Sequence, residues 1–161
     1  MRKIINPWVN KEGYNCFGCA PGNPIGLHLQ FYEQDDEIVS FWQPQSHFQG
    51  WVGVLHGGII STLLDETAGW VVTRKLQAAG MTARLNVTFK QPVRSDETQI
   101  TIRARIREQR GRLVFINCTL ENAHADICAE AEAVYSVMST EKSREMGFEK
   151  CDVEPELLLP F

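Results

Sequence analysis

The chain has 161 residues, of which 43% are hydrophobic and 22% charged, and its formal net charge is -4. A chain of this length buries roughly 70% of its unfolded surface in one core, which removes the need for a disulfide framework and excludes a disordered chain. The acidic balance is the reverse of the basic excess that marks a nucleic-acid-binding domain, so no nucleic-acid partner is expected.

The first residues, MRKIINPWVNKEGYN, carry a basic pair but no apolar run of the kind a secretory signal needs. No apolar run is long enough for a membrane span, so no membrane partner is expected. Five cysteines, an odd number, point to a reducing, cytoplasmic setting. Two of them form Cys16-Phe17-Gly18-Cys19, a spacing shared by zinc knuckles, redox pairs and incidental structural thiols. A structural zinc site wants four ligands and no second CxxC follows, which leaves only His28 and His47 to complete one. The expectation is therefore no metal and no cofactor.

Turn formers from Ala20 to Pro24 lead into an extended run over Gly26 to Tyr32, where Leu27, Leu29 and Phe31 alternate with polar residues. The acidic stretch Glu33 to Glu37 reads as a hairpin into Ile38 to Trp42, and Gln45 to Val54 reads as a structured loop. One helix is expected from about Gly57 to Ala79, because Ile59, Ile60, Leu63, Leu64, Thr67, Val71 and Val72 recur at helical spacing and Gly80 stands as a stop. Its apolar residues cover so much of the circumference that it should be wrapped on several sides. Strands follow at Thr82 to Gln91, Thr98 to Arg107, Leu113 to Glu121 and Asp126 to Met138, and their strict alternation implies an antiparallel sheet with one buried face. The pattern predicts an α+β fold, one long central helix wrapped by a curved antiparallel sheet of about six strands. An open edge strand invites a second copy, so a homo-oligomer is expected.

Eight of the sixteen basic residues fall between Arg84 and Arg112, against only Asp96, Glu97 and Glu108. A solvated strand face explains this, and so does a local site for an anionic ligand such as a nucleotide phosphate. There is no GxSxG elbow, P-loop, GxGxxG after a strand, or HExxH, which disfavours serine hydrolases of the usual arrangement, P-loop chemistry, Rossmann cofactors and zincins.

What the chain does have is His56-Gly57-Gly58 at the start of the helix and Asp65 inside it. Glycines there allow a ligand close to the backbone, and free N–H groups at a helix N-terminus favour an oxyanion. A tight loop-to-helix junction is the plainer explanation. Asp65 shares its stripe with Ser61, Thr62, Ala68 and Gly69, so its carboxylate lies among small side chains, where it can act as nucleophile or general base. The plainer alternative is a surface Asp beside Glu66; Glu66 is the weaker candidate because it points about 100° away round the helix.

The run Leu55 to Gly69 (LHGGIISTLLDETAG) with Thr82 to Pro92 (TARLNVTFKQP) resembles the hotdog-fold acyl-CoA thioesterases of the PaaI-like, phenylacetate-degradation family. The resemblance covers roughly residues 26–139 and leaves 1–25 as an N-terminal extension and 140–161 as a tail. It implies hydrolysis of a small or medium acyl-CoA to free acid and CoA in a dimer or dimer of dimers, with the site between protomers. It assigns Asp65 as base or nucleophile, Gly58 as oxyanion donor, Thr82 on the partner copy's strand as support and His56 to the same site. It places Gly57, Gln49, Arg84, Asn86 and Lys90 along the substrate, and the basic segment near the CoA phosphates. Phe48, Trp51, Trp70 and the tail Leu157 to Phe161 are candidate lining for the acyl group. Two alternatives remain: a non-catalytic acyl-CoA-binding module, and a hotdog hydratase or dehydratase.

Overall fold

The computed structural model describes residues 1–158, so Leu159, Pro160 and Phe161 of the expected acyl-lining tail lie outside the described residues. The elements are β1 (Arg2–Lys3), β2 (Phe31–Gln34), β3 (Glu37–Trp42), α1 (Gly57–Lys75), β4 (Gly80–Phe89), β5 (Ile100–Arg110), β6 (Leu113–Glu121), β7 (Ile127–Val137) and α2 (Thr140–Glu145). All strand pairs are antiparallel, in one sheet of order β1-β2-β3-β5-β6-β7-β4. The long central helix and the curved sheet are the hotdog arrangement expected, with seven strands in place of about six because the two-residue β1 extends the edge. No helix among the described residues is long and apolar enough to cross a membrane.

Alternation is what the sheet exploits. Ile100, Ile102 and Ala104 of β5, Val114, Ile116, Cys118 and Leu120 of β6, and Ala129, Ala133 and Tyr135 of β7 are buried toward α1. From the helix come Leu63, Leu64, Ala68, Val71 and Val72, all without solvent exposure. The helix is also covered from its far side: Trp8 packs edge-on against Trp70, Phe31 stacks on Trp70, and Phe148 lies against Trp8.

The strands β4, β5 and β7 each start or end one to three residues from expectation, and three larger differences have a structural cause. The helix ends at Lys75, not Ala79, because Leu76 caps it and Gln77 turns left-handed at φ 51. The Gln77 amide then donates to the carbonyls of Arg74 and Cys151, each at 2.9 Å. Gly80 is not a stop; it opens β4, where a Cβ would stand 3.0 Å from Val72 Cγ1. The strand expected from Gly26 begins only at Phe31, as β2. His28 at φ 54 breaks the extended run, and Leu27 and Leu29 donate their N–H groups to Phe17 and Gly18 at 2.8 and 2.9 Å. That run pairs with the CxxC segment instead of entering the sheet.

β4 lies at the sheet's end, paired with β7 on one side only, and it exposes Met81, Thr82, Ala83, Arg84, Asn86, Thr88 and Phe89. A bulge between Thr82 and Arg84 resets which side chains face the helix.

An ion-pair cluster ties the helix C-terminus to β2: Glu33 accepts from Arg74 Nη2 at 2.9 Å and Lys75 Nζ at 2.7 Å. These cations also sit where the helix dipole favours them. Partial burial works to raise the Glu33 carboxyl, but Lys75 and Arg74 outweigh it and hold it below the ordinary carboxyl range. A carboxyl depressed by folding stabilises above its unfolded pKa and loses that contribution as pH falls. Glu33→Gln should therefore cost about 1–3 kcal/mol near neutrality, and the difference from wild type should shrink below about pH 4. Urea denaturation at both pH values checks this; a cost independent of pH refutes it.

Candidate active site

Two groups of side chains form at different points along α1. The first surrounds Asp65. Its Oδ1 accepts from Thr82 Oγ1 at 2.9 Å, and the Tyr135 hydroxyl lies 2.8 Å from the same oxygen and 2.7 Å from the Asp65 carbonyl. The fold explains why these three meet. Thr82 is turned to the helix just before the β4 bulge, and Tyr135 is its direct partner across the β4–β7 ladder. Gly69, one turn on from Asp65, leaves room: a Cβ there would sit 3.1 Å from the Tyr135 oxygen. Burial, reinforced by the nearby Asp65 charge, pushes the Tyr135 phenol above its ordinary range. It stays a proton donor to the carboxylate.

Asp65, Thr82 and Tyr135 open into a cleft of about 480 Å³ whose other wall includes Trp8, Tyr14, Cys16, Cys19, Glu66 and Trp70. Glu66 belongs to that other wall: its Oε1 takes the Trp70 indole N–H at 3.3 Å and the Cys16 thiol at 3.4 Å. The Cys16 thiol is pulled down to about 7, chiefly by its hydrogen bond from Cys19, while that same bond and burial push Cys19 up.

The second group lies at the helix N-terminus. Gly58 donates its N–H to His56 Nδ1 at 2.8 Å, so His56 is the side-chain cap and carries its ring proton on Nε2. His47, Phe48, Gln49, His56, Gly58, Ile59 and Thr62 line a depression of about 380 Å³. Gln49 closes its own loop by accepting from Gly53 N at 3.0 Å. Gly57 approaches Phe89, where a Cβ would lie 3.4 Å from the ring.

The structure brings Thr82 to Asp65 within one chain, not from a partner's strand as expected, because β4 pairs with β7 beside its own helix, and it brings His56, Gly57 and Gln49 to Gly58. It does not bring the two groups together: Gly58 and Asp65 are seven residues apart, about 10 Å along an α-helix. His56 is farther still from Asp65, so these two residues form no dyad within one chain. Asn86 lies on the outer face of the sheet beside Glu130, Glu132 and Asn117. Arg84 pairs with Glu132 at 3.1 Å and Lys90 with Glu130 at 2.9 Å, both acids supplied by β7. Arg94 and Arg110 are likewise matched by Asp96 and Glu108. Much of the basic run is neutralised across strands. Of the candidate acyl-lining aromatics, Trp70 lines the cleft, Phe48 the depression, and Trp51 is exposed at 86% in neither. Leu157 is exposed as well.

Residues 52–129 match the family model described as the thioesterase superfamily. Over that stretch the chain is similar to the superfamily. Acyl-coenzyme A thioesterase THEM4 of Mus musculus is 30% identical over 117 residues, covering 71% of this chain and 50% of that protein. The chain spans about half the length of the curated relatives it matches. A hypothetical thioesterase protein from Streptococcus pneumoniae TIGR4, solved with coenzyme A, shares the fold with a TM-score of 0.64 at 20% identity, over 69% of this chain and 86% of that one. The E. coli PaaI protein from the phenylacetic acid degradation operon shares it with a TM-score of 0.63 at 15% identity, over 70% and 81%.

The superfamily match takes in His56, Gly57, Gly58, Asp65 and Thr82, and leaves Cys16, Cys19 and Tyr135 outside it. Tyr135 is the residue that sequence reasoning missed, and Glu66 is the one it ranked behind Asp65. Tyr135 gave one signal, a phenol ending an inward run of alanines in the last strand, where a buried hydroxyl needs a partner. Glu66 gave another, its spacing of four from Trp70.

Tyr14, whose hydroxyl lies 3.0 Å from Cys19 Sγ, is raised mainly by burial, as Tyr135 is. Both phenols should keep their protons above the ordinary value of about 10. A group raised by folding stabilises below its unfolded pKa and loses that contribution as pH rises past it, so the chain should weaken above about pH 10. An absorbance titration of phenolate should find two late-ionising groups, and Tyr135→Phe and Tyr14→Phe should each remove one. Two late groups surviving in either variant would contradict the assignment.

Proposed function

We propose that this chain hydrolyses acyl-CoA thioesters of small or medium acyl groups, as a cytoplasmic homodimer or dimer of dimers, with Asp65 of one copy and the Gly58 N–H of another acting on one carbonyl. One separation carries this reading. An attacking group and an oxyanion donor must each lie about 3 Å from the reacting carbonyl group, yet Gly58 and Asp65 stand about 10 Å apart along their own helix. A two-fold partner brings a second Gly58 to each Asp65. The one-sided pairing of β4 and its exposed Met81 and Phe89 support the edge as the place where that partner docks.

In this scheme Thr82 and Tyr135 hold Asp65 Oδ1, and Oδ2 either takes a proton from water or attacks the acyl carbon, in which case water then attacks the acyl carbon of the resulting anhydride and frees the Asp65 carboxylate. His56 yields the Gly58 N–H to the developing oxyanion. The water oxygen ends bonded to the acyl carbon, the carbon–sulfur bond breaks, and CoA leaves as a thiolate that takes up a proton. Gly57 and Gln49 border the thioester end of the substrate, and Arg84, Asn86 and Lys90 receive the phosphate end. Surface ion pairs are worth only about 0–1 kcal/mol, so a phosphate can draw Lys90 away from Glu130 at little cost.

Thiol release from an acyl-CoA panel should fall about 10²–10⁴-fold in Asp65→Asn. Gly58→Pro, which removes the N–H in a first turn that tolerates proline, should cost about 10²–10³-fold. Coexpressing the two variants is the decisive arrangement, because each mixed dimer holds one site with an intact Asp65 and an intact Gly58. Random pairing should restore about a quarter of the wild-type rate. A mixture no faster than the separate variants would place both groups in one chain's site and sink the proposal.

A further inference from the structure

We propose that Cys16, Cys19 and Glu66 form a binding site for one thiophilic divalent ion of the Zn²⁺ class, on the wall of the cleft that also holds Asp65. This goes beyond the thioester chemistry and does not depend on it. The two thiol sulfurs and a Glu66 carboxylate oxygen all lie within 4.8 Å of one another. A tetrahedral zinc with bonds of about 2.3 Å to sulfur and 2.0 Å to oxygen spaces the two atoms about 3.5 Å apart; Cys16 Sγ and Glu66 Oε1 are 3.4 Å apart.

Several features of the fold serve this convergence. Leu27 and Leu29 anchor the carbonyls of Phe17 and Gly18, and Ala20 N bonds back to Cys16 O at 3.1 Å, so the CxxC turn is held on both sides. Gly18 admits the carboxylate: a Cβ there would stand 2.5 Å from Glu66 Cδ, a contact no other residue type tolerates without displacing Glu66. Trp70 orients Glu66 from one turn farther along the same helix, and Tyr14 reaches Cys19 Sγ.

The chemistry of the trio calls for a cation. Two sulfur donors and a carboxylate oxygen converge on one point, and the one thiol bond to Glu66 is long. A divalent ion lets all three serve as anions at once. Thiolate ligands select zinc-like ions over magnesium or calcium. The two histidines that the sequence offered in principle do not complete the set: His28 Nε2 is 2.5 Å from the Asn23 carbonyl, and His47 packs on Phe48. Three protein ligands leave the fourth position to the cleft. The other cysteines, Cys118, Cys128 and Cys151, are buried outside this group.

The test uses the full chain, reduced and stripped with a chelator, then titrated with Co²⁺ as spectroscopic probe and with Zn²⁺ by equilibrium dialysis. Uptake of one ion per chain is expected, with thiolate-to-cobalt charge transfer and tetrahedral bands. Cys16→Ser and Cys19→Ser should each abolish the charge transfer, and Glu66→Gln should weaken binding about 10–100-fold. Asp65→Asn, whatever it does to hydrolysis, should bind as wild type does, so failure of this proposal and failure of the thioesterase reading are separable. X-ray absorption on the zinc-loaded wild type needs no variant: two sulfur neighbours are expected. No uptake, unchanged uptake in the cysteine variants, zero or four sulfur neighbours, or a Cys16–Cys19 disulfide that forms in preference to ion binding would each overturn it.

Discussion

Helix α1 buries Ile60, Leu63, Leu64, Thr67, Ala68, Trp70, Val71, Val72 and Thr73, which together occupy most of its circumference. A single sheet face covers only part of such a cylinder, so other segments must cover the remainder. The sheet takes the aliphatic side. The N-terminal segment brings Trp8, Tyr14 and Cys19 over the Trp70 side, and Phe148 and Cys151 close it from the C-terminal end. Glu33, Arg74 and Lys75 then fasten the last turn to β2. Each outlying segment is ordered by the apolar surface that the sheet leaves open.

Two carboxylates interrupt that apolar cylinder at adjacent positions, and their difference in direction assigns them to different neighbours. Asp65 points to β4 and β7, where Thr82 and Tyr135 satisfy it. Glu66 points to the N-terminal cover, where Cys16, Trp70 and the Gly18 backbone surround it. A polar group inside a covered helix is costly without partners, and both have them. The two walls of one cleft are built in this way from consecutive residues.

The helix also sets a length. Residues seven apart on one face cannot meet, whatever the loops do, which is why the proposed scheme draws the glycines at the N-terminus and the carboxylate two turns in from two copies. The edge position of β4 and its exposed apolar side chains agree with a surface awaiting a partner. Much of the basic segment is paired within the chain itself. Arg84, Lys90 and Arg107 find Glu130 and Glu132 on β7, so the sheet's outer face balances its own charge while net charge stays mildly negative.

Periodicity alone determined a great deal here: one long buried helix, strands that alternate with period two, and a glycine pair ahead of an intrahelical carboxylate, because these patterns are local and repeat within a single element. Their ends were less legible. Whether the helix stops at Lys75 or Ala79 depends on Gln77 reaching Cys151, and whether Gly26 to Gln30 enters the sheet depends on the CxxC turn competing for its N–H groups. The same holds for the site. Asp65 stood out from its own helix, but Tyr135, seventy residues away, became its partner only through the β4–β7 ladder. Cys16 and Cys19 stood as an incomplete pair until packing brought Glu66, fifty residues on, against Gly18. Residue types and spacing are written along the chain; which distant groups share a wall is decided by how sheet, helix and N-terminal cover close around one another.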